Sequence, residues 1–254
     1  MSDYFSDLQN KTVIVTGGSK GIGKNIALSF AELEANVIIM GRNEKDLNQT
    51  LSELNEFPGK NQAMQVDVND IAYVREVVDT IVHEYGSIDI LVNNAGVNIA
   101  KPALEVTEQD WDQVLDTNLK ATFFFSQAVG QHMIEQKSGR IINIASQMSF
   151  VGYIKRAAYC SSKGGVLQLT KALAVEWAPY HINVNAVAPT FVETEFTAKM
   201  FEDEEFKKDV QSRILFNELP KPKDISGAVL YLASNMANFV TGETIKVDGG
   251  WTAI

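Results

Sequence analysis

What this chain can fold into is constrained above all by an alternation. Strand-like runs at residues 11–17, 36–41, 62–67, 88–92, 139–145, 182–188 and 244–248 take turns with helix-like runs at 21–34, 43–55, 70–85, 107–136, 157–179 and 222–234. Parallel strands of one sheet need a crossover between them, usually a helix, so the pattern predicts an α/β fold: a doubly wound parallel sheet of about seven strands with helices on both faces. The 254 residues suit one such domain over 1–254, and no internal repeat, low-complexity tract or linker divides them. The Pro and Gly clusters at Phe57-Pro58-Gly59 and Leu219-Pro220-Lys221-Pro222 fit ordinary connections. The span 190–216 follows a strand end without a matching strand partner and reads as an insertion.

The first strand runs into a turn suited to phosphate. Lys11 to Lys24 reads as a buried strand, a glycine turn and a helix start, with Gly17, Gly21 and Gly23 spaced Gly-x-x-x-Gly-x-Gly. Glycines carry no side chain to block a pyrophosphate, and the free amides of a helix beginning near Gly21 face it with the positive end of the dipole. The spacing differs from the Gly-x-Gly-x-x-Gly form of dinucleotide folds, but its place between strand and helix argues for the same use. Ligands of open α/β sheets bind beyond the carboxyl ends of the strands, and Asn94, Ser146 and Thr190 all follow such ends, so the motifs converge on one edge.

At that edge the sequence supplies a proton-transfer site. If residues 157–177 are helical, as their Ala, Leu and Lys content suggests, Tyr159 and Lys163 lie on one face, the cation beside the phenol. A free tyrosine has a pKa of about 10, and an adjacent positive charge favours phenolate and lowers it, which makes Tyr159 a candidate general acid/base. Ser146, at the end of the apolar run 140–145, can hydrogen-bond the same substrate oxygen.

Composition narrows the classes that remain. A formal charge of −10 and a pI of about 4.8 disfavour nucleic-acid and anionic-membrane partners, and no basic patch offsets them. The apolar runs are strand-sized, and the opening Met1 to Asp7 is acidic where a secretory signal needs a basic and then apolar stretch, so a cytoplasmic protein is expected. The single cysteine, Cys160, excludes an intrachain disulfide and reads as a small packed residue. His83, His132 and His181 are spaced 49 residues apart, which is no ligand spacing, and no metal is expected. The acidic segment 193–209 also holds Lys199, Lys207 and Lys208 and reads as a solvated helical face.

Taken in order along the chain, Thr16-Gly17-x-x-x-Gly21-x-Gly23, Asn93-Asn94-Ala95-Gly96, Asn118, Ser146, Tyr159 and Lys163 resemble the short-chain dehydrogenase/reductase family over nearly the whole sequence. The resemblance implies a single Rossmann-type domain, a nicotinamide cofactor and a catalytic tetrad of Asn118, Ser146, Tyr159 and Lys163. In the family Tyr159 would exchange the substrate proton and Ser146 would orient the substrate oxygen. Lys163 would bind the nicotinamide ribose and lower the tyrosine pKa, and Asn118 would hold a water in the proton relay. Cofactor contacts are implied at Gly17, Gly18, Ser19, Lys20, Gly21, Ile22 and Gly23 in the turn, at Arg42 and Asn43, at Asn94, Ala95 and Gly96, and at Tyr159 and Lys163. Asp67 and Val68 match the adenine contact, while Pro189, Val192 and Thr194 flank the nicotinamide. The insertion at 190–216 would cover the substrate, and pairing of the long helices, with apolar residues such as Phe123, Phe124, Phe125, Val166, Leu169 and Leu173, would make a homodimer or homotetramer.

The extra phosphate of NADP needs a cation where the ribose hydroxyls of NAD need an acid. Arg42, followed by Asn43, stands after the second strand and Lys20 inside the glycine turn, with no carboxylate at the strand end. NADP(H) is therefore favoured; Glu44, which can turn inward, keeps NAD(H) open. The chain departs from the family where Pro189 is followed by Thr190 instead of glycine, which alters the local loop. Lys155 and Arg156, two cations just before Tyr159, can meet a substrate carboxylate or phosphate, or form a solvated pair. The expected substrate is a small carbonyl or alcohol, with a sugar acid or polyol weakly favoured over a ketoacyl thioester or a broad range of carbonyls. A cofactor-binding regulator without turnover is the alternative from another class, against which the filled tetrad argues.

Overall fold

The computed structural model describes residues 3–253; Met1, Ser2 and Ile254, which belong to the acidic opening and to the domain span expected above, lie outside the described residues. Seven strands, β1 (Thr12–Thr16), β2 (Asn36–Gly41), β3 (Gln62–Gln65), β4 (Ile90–Asn93), β5 (Gly139–Ile144), β6 (Ile182–Pro189) and β7 (Thr244–Val247), form one sheet in the order β3-β2-β1-β4-β5-β6-β7. Every pairing is parallel. The chain winds outward from β1 through β2 to β3, then returns to place β4 on the other side of β1. The crevice for a ligand is therefore set beyond the carboxyl ends of β1 and β4.

Burial on both faces explains the unbroken apolar run Val13-Ile14-Val15 in the middle of β1. Its side chains alternate: Val13 and Val15 join one core with Val37 and Ile39, while Ile14 joins the other with Ile38, Leu91 and Ile141. On the first face α1 (Gly21–Ala31) contributes Ile26 and Phe30, and Val229 and Leu232 come from α9 (Pro222–Ala233). On the second, Val74, Val78 and Ile81 of α3 (Ile71–Tyr85) pack with Phe125 and Val129 of α5 (Ala121–Gln136) and Leu173 of α6 (Ala157–Trp177). Phe30 is fully buried, so truncating it to Ala costs about 3–5 kcal/mol. Local signals start the helices: Asn43 caps α2 (Glu44–Leu54), Asp70 caps α3, and Thr107 with Asp110 forms a capping box on α4 (Glu108–Leu115).

Two expectations change here. The helix expected over 107–136 is interrupted between α4 and α5 by a π turn, Asp116–Lys120, that holds Asn118. Of the apolar residues expected to face another subunit, Phe125, Val166 and Leu173 are core residues of this chain, while Phe123, Phe124 and Leu169 are only partly buried. Beneath the ligand edge, a closed polar chain ties the sheet to α5 and α6. Asn93 Nδ2 donates to Ser126 Oγ and Asn143 Oδ1, each at 2.9 Å, and Asn143 Nδ2 donates to Thr170 Oγ1 at 3.0 Å. The span 190–216 carries α7 (Glu195–Met200) and α8 (Glu204–Arg213), docked by Phe191, Phe201, Phe206 and Val210 against Tyr153 and Trp251. Among the described residues no helix is long and apolar enough to cross a membrane.

Candidate active site

The glycine turn is held shut against the loop after β4. Gly17 has φ +63°, and a Cβ there would stand 3.0 Å from the Asn94 side chain; one on Gly23 would fall 2.3 Å from the Gly17 carbonyl. Asn94 Nδ2 donates to the Thr16 and Gly17 carbonyls, both at 3.0 Å. The Thr16 hydroxyl accepts from the Asn94 and Ala95 amides at 3.0 and 3.1 Å. The first turn of α1 has no side-chain cap, so its amides stand ready for an anion.

Not every expected contact faces the cleft. Gly18 turns away: its amide donates to the Met40 carbonyl at 3.1 Å, and a Cβ would strike Ile39. Gly23 is buried behind the turn, where it serves the close packing of α1. Lys20 is exposed and bridges to Asp46 at 2.9 Å, so it is engaged by α2. Asn43 caps α2, its Oδ1 accepting from the Asp46 amide at 3.1 Å. Arg42 is exposed beside a cavity of about 400 Å³, also lined by Gly17, Ser19, Asn43, Asp67, Val68, Ala95 and Gly96. Asp67 accepts from the Asn69 amide while Asp70 caps α3, so the carboxylate of Asp67 is not the helix cap.

Across Gly96 the cleft continues into a cavity of about 500 Å³ lined by Ile22, Asn94, Ser146, Tyr159, Lys163, Pro189 and Thr190. Ser146 follows β5; it donates to Gln147 Oε1 at 2.7 Å, accepts from the Met148 amide at 3.1 Å and lies within hydrogen-bonding reach of the Tyr159 phenol. Burial pushes that phenol above its ordinary pKa, against the Ser146 hydrogen bond; Cys160 adds to the rise and the Arg156 guanidinium opposes it. The expectation that Lys163 draws the phenol down is corrected for the protein alone. Its Nζ lies 5.9 Å from the centre of the Tyr159 ring and donates to the Ile144 carbonyl at 2.6 Å, and burial lowers its own pKa to about 8. Asn118 is fully buried, its side chain spent on the Val97 amide (2.8 Å), the Val97 carbonyl (2.9 Å) and Ser162 Oγ (3.0 Å). Ser162 in turn donates to the Tyr159 carbonyl at 2.8 Å, so the side chain of Asn118 pins α6 to the loop after β4.

A third compartment of about 180 Å³ opens beside Ser146 and Tyr159, lined also by Asn98, Gln147, Arg156, Thr190, Val192 and Thr194. Val192 and Thr194 thus line this compartment, with the Thr194 hydroxyl also capping α7. Of the expected cation pair, Lys155 is exposed and Arg156 is buried. Thr190 adopts no positive φ, so its side chain fits where the family often has glycine. Four buried side-chain polar atoms lack a partner among the described residues, and three of them, Asn98 Oδ1, Arg156 Nε and Thr190 Oγ1, belong to residues lining this compartment. Asn98 and Gln147 were missed from sequence; their nearness to Gly96 and Ser146 was the available signal. Among the described residues no cluster of metal-ligating side chains occurs.

The donor set fits a dinucleotide: a turn that admits no side chain at Gly17 or Gly23, uncapped helix amides at its end, and one continuous cleft from Arg42 to Lys163. The cofactor is NADP(H) or NAD(H), and Arg42, with no ion pair among the described residues, favours the phosphorylated form. Comparison with known proteins agrees. The chain is 40% identical over 247 residues to the 2-dehydro-3-deoxy-D-gluconate 5-dehydrogenase of Escherichia coli, covering 97% of each. It is 38% identical to a 3-oxoacyl-[acyl-carrier-protein] reductase of Thermotoga maritima, covering 96% of this chain and 98% of that one. A gluconate 5-dehydrogenase from Burkholderia cenocepacia, solved in complex with NADP and tartrate, superposes with a TM-score of 0.93 at 33% identity, over 98% of this chain and 99% of the other. A sequence model of the short chain dehydrogenase family matches residues 11–205, and the chain belongs to that family of NAD(P)-dependent oxidoreductases, which interconvert an alcohol and a carbonyl by hydride transfer.

Proposed function

We propose that this enzyme interconverts a secondary alcohol and a ketone on a sugar acid or polyol, with Tyr159 exchanging the proton on the reacting oxygen. The observation that carries the reading is the convergence on one small compartment of Ser146, Tyr159 and three residues, Asn98, Arg156 and Thr190, that each hold a buried polar atom without a partner among the described residues. A bound nicotinamide cofactor would supply or accept the hydride. In reduction the Tyr159 hydroxyl hands its proton to the developing alkoxide; in oxidation the phenolate takes it back. Ser146 directs the oxygen toward that phenol. Lys163, released from the Ile144 carbonyl, is placed for the ribose hydroxyls, and its charge then helps hold the phenolate. The amides of the glycine turn and α1 take the pyrophosphate, Asp67 and Val68 the adenine, and Pro189, Val192 and Thr194 the nicotinamide.

The segment 190–216 covers the substrate and excludes water. Sugar acids are favoured by the names of the relatives at 40% and 33% identity. A ketoacyl-thioester reductase is the second reading, favoured by the relative at 38% identity. A charge of −10 weighs against docking an acidic carrier protein. We place the enzyme in the cytoplasm as a homotetramer or homodimer, with the partly buried Phe123, Phe124 and Leu169 on helices available to a second subunit. Light scattering after gel filtration tests the assembly. For the reaction, nicotinamide absorbance is followed with NADPH and NADH against keto sugar acids, ketoacyl thioesters and diketones. Selective turnover of keto sugar acids is expected, and turnover confined to thioesters would replace this reading with the second.

A further inference from the structure

We propose that Arg156 is the substrate's carboxylate anchor, making the enzyme selective for hydroxy acids over neutral polyols of the same shape. The inference rests on the dehydrogenase reading above. Its basis is a buried cation without an anion. Lys155 sits at φ +57°, a left-handed turn immediately before α6; its own side chain is exposed, while the next residue, Arg156, is buried to 5% exposure. The guanidinium has five N–H donors, yet among the described residues it makes one hydrogen bond, from Nη1 to the Lys155 carbonyl at 3.2 Å, and its buried Nε has no partner. No Asp or Glu bridges to it among the described residues. The groups that act on it are Tyr153, Tyr159 and Cys160, none of them a carboxylate, and burial already disfavours its charge.

A desolvated guanidinium in that state is costly unless an anion completes it. Its planar fork matches a carboxylate with two parallel N–H···O bonds. Arg156 lines the same compartment as Ser146 and Tyr159, so an acid held there keeps the rest of its chain within the site of proton exchange. The other unpartnered atoms indicate what that chain carries. Asn98 Oδ1 is an acceptor and needs a donor from the ligand, and Thr190 Oγ1 serves as either; both are met by hydroxyl groups. An acyl thioester offers carbonyl acceptors and an apolar chain but no hydroxyl donor, so it would leave Asn98 Oδ1 unpaired.

The test compares acids with their amides, which keep the hydroxyls and lose the charge: D-gluconate with D-gluconamide, glycerate with glyceramide, tartrate with tartramide. Binding to the cofactor-loaded enzyme is measured by calorimetry, and turnover by nicotinamide absorbance. Wild type should prefer at least one acid over its amide by tenfold or more. Arg156→Met should abolish that preference while leaving the amide within about threefold, and Lys155→Met should keep it. NADPH binding equal to wild type shows that the variant is folded; if it is not, Arg156→Lys, which keeps charge but loses the fork, should weaken the acid severalfold and spare the amide. A wild type that does not prefer any acid, or a variant that weakens acid and amide alike, overturns the anchor. Because binding is read separately, absence of hydride transfer would count against the dehydrogenase reading of the substrate and leave the charge comparison decisive.

Discussion

Two buried threonines stand at the carboxyl ends of parallel strands in this sheet, and they are treated in opposite ways. The hydroxyl of Thr16, at the end of β1, accepts from two amides and donates to the Val92 carbonyl at 3.4 Å. The hydroxyl of Thr190, just past β6, has no partner among the described residues. The difference separates the two halves of the cleft. Around Thr16 the polar groups satisfy one another and set the shape of a turn whose ligand is read through backbone amides. Around Thr190 side-chain groups are left open, and so are Asn98 Oδ1 and Arg156 Nε. Groups left unpaired inside a protein cost free energy, so a cluster of them at a cavity is the imprint of a polar ligand.

The strongest way to break the comparison is to disable the substrate half alone. Tyr159→Phe removes the transferable proton and should lower kcat by about 10²–10⁴ while NADPH affinity, read by fluorescence, stays within about twofold. Unchanged turnover would sink the mechanism. Next in size is Lys163→Met. Burial holds this ammonium near pH 8 against an ordinary 10.5, so its charge costs stability. The cost is fully present below about pH 8 and fades as pH rises toward 10.5; 1.36 kcal/mol per unit makes it about 3 kcal/mol. Without cofactor, Lys163→Met should therefore be more stable than wild type at pH 7, with the gap closing by pH 10.5 in denaturant melts. A gap that does not change with pH would refute the buried-charge account.

On the cofactor half, Thr16→Val leaves the Asn94 and Ala95 amides without an acceptor and should cost about 2 kcal/mol in urea unfolding. Arg42→Ala should be milder, because the side chain is exposed: KM for NADPH rises about tenfold, with NADH nearly unaffected. Equal losses for both cofactors would remove the phosphate role.

The two halves also differed in how far the sequence could be read. Val13, Ile14 and Val15 announce a strand buried on both faces, and Gly17 and Gly23 announce a turn without room for side chains, because each needs only local chemistry. The π turn at Asn118 was illegible: an extra residue in one turn leaves the apolar pattern of 107–136 almost unchanged. Gly18 looks like its neighbours in sequence, and only the β2 carbonyl of Met40 shows that its amide is taken. Tyr159 and Lys163 share one face of α6 as their spacing implies, but the Ile144 carbonyl that holds the ammonium comes from β5, far from them in sequence. The direction of Arg156 depended on a left-handed Lys155, a conformation its residue type does not signal.

The sharpest form of the comparison is also its smallest effect. Thr190→Ala removes a hydroxyl that the folded protein leaves unpaired, while the amide of residue 190 keeps its bond to the Val247 carbonyl at 3.2 Å and the backbone needs no positive φ. Folding without ligand therefore loses no hydrogen bond and is relieved of a buried, unsatisfied polar group, so stability in urea should hold or rise by up to about 1 kcal/mol. That sign is opposite to the one expected for Thr16→Val, although both changes delete a buried threonine hydroxyl at a strand end. The loss should appear only when a hydroxylated substrate is present, as a severalfold fall in kcat/KM. Destabilisation of the ligand-free protein comparable to that of Thr16→Val would mean that the Thr190 hydroxyl belongs to the fold, and the substrate half would then be as closed on itself as the cofactor half.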